Sequence, residues 1–69
     1  MKCSVNGCNA NAVMMPRIKL GPGDVQVHRD RSVCMVHTDQ VGAMFDAERQ
    51  AAEAADKELC IQLVAYRAA

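Results

Sequence analysis

Two short pairs of ligand-type residues constrain this chain more than anything else in it. Cys3 and Cys8 are separated by four residues, and Cys34 and His37, 25 residues further on, are separated by two. Zinc takes four tetrahedral nitrogen or sulfur donors, commonly delivered as two close pairs from two segments of chain. Each pair makes local sense. Ser4-Val5-Asn6-Gly7 is a tight loop whose glycine lets the backbone swing, so that both thiolates face one point. Cys34 and His37, three apart at a helix start, project from one side of the first turn, where the helix N-terminus favours thiolate over thiol. The spacing therefore predicts one structural Zn2+ per chain, held by Cys3, Cys8, Cys34 and His37. Two disulfides, or small buried thiols, are the competing readings of the same cysteines.

The rest of the composition gives that ion work to do. Hydrophobic residues make up 51% of the 69 positions, yet 11 Ala, 5 Met and 4 Cys account for most of them, and there is no Trp. A chain this short buries only about 60% of its unfolded surface, and below ~70–80 residues a core alone seldom suffices. A two-domain enzyme and a repeat array are excluded by length. No run of 18 apolar residues exists and no apolar segment follows the basic start, so neither a membrane span nor a secretory leader is expected. The expected compartment is a reducing cytoplasm, where cysteines serve metals before disulfides.

Charge divides the chain in two. The net formal charge is +0, but residues 1–38 carry five Lys or Arg against Asp24 and Asp30, and 39–69 carry three against six acids. In the first part, Arg17-Ile18-Lys19-Leu20 and Val25-Gln26-Val27-His28 alternate polar and apolar around Gly21-Pro22-Gly23-Asp24, which predicts a β-hairpin. Pro16 cannot donate to a ladder, so an edge position or a bulge is expected there. In the second part, Thr38 or Asp39 is available as an N-cap. No proline follows, and Val41, Met44, Phe45, Ala52, Ala55, Leu59, Leu63 and Tyr66 share one helical stripe. Cys60, Ile61 and Val64 fall off that stripe, so the far end must cover itself, meet a partner, or break and fold back. The expected fold is α+β: a zinc knuckle and hairpin over 1–38, then one long C-terminal helix over 39–69.

The stretch Cys3-Ser-Val-Asn-Gly-Cys8-Asn-Ala-Asn-Ala12, followed by Val33-Cys34-Met-Val-His37, resembles the C-x4-C…C-x2-H zinc fingers of treble-clef type found in small phage and bacterial proteins. The resemblance covers roughly residues 3–40. It implies a knuckle and a helix start as ligand donors, with a hairpin between them. The gap between the pairs is longer than in many such fingers, and Thr38 stands where they often carry an aromatic.

A non-enzymatic module is the expected function: a zinc protein acting through protein contact or as an inhibitor, self-associating through its helix. The partner-facing residues on this reading are Val41, Phe45, Leu59, Ile61, Leu63, Val64 and Tyr66. The alternative is a nucleic-acid-binding finger using Arg17, Lys19, Arg29 and Arg31, against which zero net charge and two aromatics weigh. His28 reads as an exposed strand histidine, with substitution for His37 or service as a hydrolytic base as alternatives. Cys60 reads as a buried structural thiol, or a contact near an oligomer axis.

Overall fold

The computed structural model describes residues 1–67 of the chain. Its sheet has three antiparallel strands, β1 (Met14–Leu20), β2 (Val25–Val27) and β3 (Leu59–Ala65), in the order β2-β1-β3. β1 and β2 are the two arms of a hairpin whose tip closes with Gly23 N–H donating to the Leu20 carbonyl (3.1 Å). Gly21 sits there at φ +58, a left-handed backbone that glycine enters without a Cβ penalty.

Between β2 and β3 the chain is helical over 35–54, in three pieces. A 3₁₀ segment, Met35–Gln40, is kinked at His37; α1 (Val41–Met44) follows it, and after a break at Phe45 comes α2 (Asp46–Ala54). The single long C-terminal helix expected over 39–69 is therefore wrong: the helix lies mid-chain and a strand follows it. Ala68 and Ala69, the end of that expected helix, lie outside the described residues. The cap is the reason. Asp56 takes the left-handed conformation (φ 54), Lys57 N–H donates to the Ala52 carbonyl (2.8 Å) and Asp56 N–H to that of Glu53 (3.1 Å). This is a Schellman ending, with aspartate in the place glycine usually fills. Asp46 and Arg49, one turn apart in α2, pair at 3.4 Å, and Lys57, beyond the helix, lays its stem beside Gly21.

The helix start also differs from expectation. Cys34 is the N-cap, and Thr38 instead donates its hydroxyl to the Met35 carbonyl (3.2 Å). Pro16 stands in the central strand, not at an edge or bulge. Its partner across β3 is Leu63, while on the other side β2 has ended at Val27 and His28 N–H donates to the Pro16 carbonyl (3.0 Å). The missing N–H falls where the neighbouring strand has run out.

β3 pairs with β1 along its whole length, from Leu20↔Leu59 to Met14↔Ala65. Period-2 alternation turns Ile18, Leu59, Ile61 and Leu63 to one face. There they join Val33, Val41, Phe45, Cys3 and Cys34 in the core, with Phe45 and Val33 wholly enclosed. Arg17, Lys19, Val25, Val27, Cys60 and Gln62 occupy the other face, and Arg17 donates to Gln62 at 2.8 Å. Cys60 is exposed there rather than buried.

Candidate metal centre

The N-terminal ligand pair is built by a miniature loop. Lys2 bridges Asn11, Cys3 N–H donates to the Ala10 carbonyl (2.8 Å), and Ala12 N–H donates to that of Met1 (2.9 Å). Inside this clasp Cys8 N–H closes a turn onto the Val5 carbonyl (3.0 Å), with Gly7 at φ +86. A positive φ at that turn position calls for glycine. The turn swings Cys8 back toward Cys3.

The second pair rides on the end of the sheet. Val33 bridges Met14, and its neighbour Cys34 opens the 3₁₀ segment with His37 N–H donating to the Cys34 carbonyl (3.2 Å). At about three residues per turn, positions i and i+3 eclipse, so sulfur and ring stand on one side. The two segments are tied to each other as well: Ser4 N–H donates to the Ser32 carbonyl (2.9 Å). Ser32 is fully buried, and its hydroxyl donates to the Arg29 carbonyl (2.7 Å).

The result is a cluster in which the ligand atoms of Cys3, Cys8, Cys34 and His37 all lie within 4.8 Å of one another. Cys8 Sγ is 3.8 Å from Cys34 Sγ, Cys3 Sγ is 3.6 Å from His37 Nδ1, and Cys34 Sγ is 3.3 Å from the same nitrogen. A tetrahedron with Zn–S of about 2.3 Å and Zn–N of about 2.0–2.1 Å has edges of about 3.8 Å and about 3.6 Å. These four residues could hold a metal ion. All four cysteines of the chain are free thiols.

The electrostatics favour a cation there. Burial pushes the Cys3 thiol up, but backbone N–H groups of Cys34 and Val5, with the side chains of His37 and Cys34, outweigh it and leave Cys3 at about 6. Cys8 goes the other way. The Ala10 backbone lowers it, but burial, the crowding sulfurs of Cys3 and Cys34 and the charge on Cys3 together hold it above its ordinary value. One thiolate thus resists the next, and a divalent ion removes that conflict.

His28 does not join the cluster. Its ring meets Phe45 edge-on at 5.0 Å, and its Nε2 is buried without a hydrogen-bond partner among the described residues. Nor do the four basic residues share one surface. Arg17 and Lys19 lie on the outer face of the sheet and Arg29 stacks over Tyr66 at 5.6 Å. Arg31 turns inward, 4.5 Å over Phe45, and donates to Glu48 (3.0 Å) and to the Met44 carbonyl (3.0 Å). That contact holds the Glu48 carboxyl below the usual range. Of the residues expected to face a partner, Val41 and Phe45 are core, and the stripe that joined them to Leu59, Leu63 and Tyr66 is divided between helix and strand. No local spacing announces the Ser4–Ser32 tie or the Arg31–Glu48 contact, both of which join residues far apart in sequence.

Comparison with protein families, with curated proteins and with solved structures finds no match to this chain. No helix among the described residues is long and apolar enough to cross a membrane.

Proposed function

We propose that the chain is a non-enzymatic zinc module: Cys3, Cys8, Cys34 and His37 hold one structural Zn2+ in the manner of treble-clef-type fingers, and the protein acts through contacts of its surface. The observation that carries the reading is the gathering of four ligand atoms from two segments of chain within 4.8 Å of one another, with separations of 3.8, 3.6 and 3.3 Å among them, near the edges of a sulfur-rich zinc tetrahedron. Three soft thiolates and one imidazole select zinc over the oxygen-seeking cations. Four protein donors complete a tetrahedral shell, which leaves no position for a reacting water and favours a structural ion over a catalytic one.

Native mass spectrometry of the purified chain tests this directly. One zinc per chain is expected, lost together with cooperative melting when a chelator is added or when Cys34→Ser is made. A chain that purifies metal-free, takes up no added zinc and still melts sharply overturns the proposal.

A further inference from the structure

The two edges of the sheet are protected very differently. β2 is three residues long and is flanked by Asp24 and by Arg29, Asp30 and Arg31, so short length and charge blunt it. β3 is seven residues, Leu-Cys-Ile-Gln-Leu-Val-Ala, with no charge, proline or glycine anywhere in it. Soluble proteins seldom leave such an edge bare, because its unpaired backbone groups are a template for another strand. The register says which groups these are. Gly21 N–H reaches the Glu58 carbonyl and Tyr66 N–H that of Val13, so even-numbered residues of β3 face β1. Leu59, Ile61, Leu63 and Ala65 therefore point their N–H and C=O groups outward. Among the described residues nothing bonds to them.

We infer that β3 is an interface with a second copy of this chain, the two strands running antiparallel about a two-fold axis at Gln62. The strand is complementary to itself in that one register. Leu59 meets the partner's Ala65, Ile61 the partner's Leu63, and Cys60 the partner's Val64, so all seven residues pair and no charge opposes a like charge within the strand. About eight backbone hydrogen bonds form, all from groups now pointing outward. The pairing keeps faces in phase. Leu59, Ile61 and Leu63, half-buried in one copy, continue into the same residues of the other, and a six-stranded sheet results with both helical layers on one side. The uncharged, self-matching sequence selects a second copy over an unrelated peptide. The inference extends the surface-contact part of the proposed function and does not rest on the metal.

Sedimentation velocity of the zinc-loaded chain across a concentration series reads the mass, while metal content is followed separately. A species of twice the 7.5 kDa chain is expected. Ala65→Pro removes an outward N–H from an exposed residue and spares the β1 ladder, and it should raise the dimer dissociation constant about tenfold or more without changing zinc content. In the double variant Cys60→Ser with Gln62→Cys, mild oxidation should link two chains at position 62, since that pair is non-hydrogen-bonded and its Cβ atoms lie close. A monomer at every concentration overturns the inference, even if the monomer captures an extended apolar peptide. So does a dimer indifferent to Ala65→Pro that cannot be linked at position 62.

Discussion

The ligand end and the ladder end of this small protein are held by different means. Around Cys3, Cys8, Cys34 and His37 there is little regular structure: a clasp between residues 1–3 and 10–12, one turn, one 3₁₀ segment and a few backbone bonds. At the other end, β1 and β3 share a seven-residue register and bury Ile18, Ile61, Leu59 and Leu63 against Phe45 and Val41. One region depends on four atoms meeting at a point, the other on many weak contacts spread along two strands. A 69-residue chain with few large side chains needs both.

On the proposed zinc reading, the sharpest way to break this division is to take the metal away. Structural zinc in small domains contributes an apparent ~10–16 kcal/mol near neutral pH, so chelation or Cys34→Ser should abolish cooperative melting. In a partly depleted sample, hydrogen exchange should rise first at 1–12 and 32–40 and last along 14–20 and 59–65. The reverse order would mean that the ladder leans on the ligand end. Phe45→Ala attacks the shared centre, where a wholly enclosed ring meets His28 and Arg31, and should cost about 3–5 kcal/mol in a denaturant titration with zinc still bound.

Acid sharpens the same contrast, because it acts on the ligand end. Cys3 stands at about 6, below its ordinary 9. The lowered thiol favours the gathered ligand cluster fully above pH 9, progressively less down to 6, and not below. Below about 6 a proton must leave Cys3 before the ion enters, so zinc affinity should fall about tenfold per further pH unit from this ligand alone. A competition titration against a chromophoric chelator measures it. Two smaller effects belong to the other end. Asp56→Gly should raise stability by roughly 0.5–1 kcal/mol, since glycine suits φ 54 better than aspartate. Glu48→Gln should lower it by about 0.5–1 kcal/mol, reading the worth of the half-exposed Arg31 pair.

The same division explains what was legible in the sequence. The candidate metal cluster is written in residue identity and spacing, because few side chains bind metals through sulfur or imidazole and two short loops suffice to aim them. The β1–β2 hairpin is written in alternation around Gly21-Pro22-Gly23-Asp24. The last third differs from the helix expected there because Leu59, Leu63 and Tyr66 satisfy a helical stripe and Leu59, Ile61 and Leu63 satisfy a strand equally well. The feature that decides between them is the stop at Asp56, and aspartate does not advertise a left-handed cap as glycine does. The apolar residues off the helical stripe were the remaining clue, and folding back accounts for them.

The sheet order also sets a timetable for synthesis. All four residues of the candidate metal cluster exist once residue 37 has been made, but β1 keeps one flank open until residue 65 emerges. A nascent chain can therefore gather that cluster while its central strand still waits for a neighbour. Any ribosomal pause between those two points would expose Ile18 and Phe45 to whatever apolar surface lies nearby.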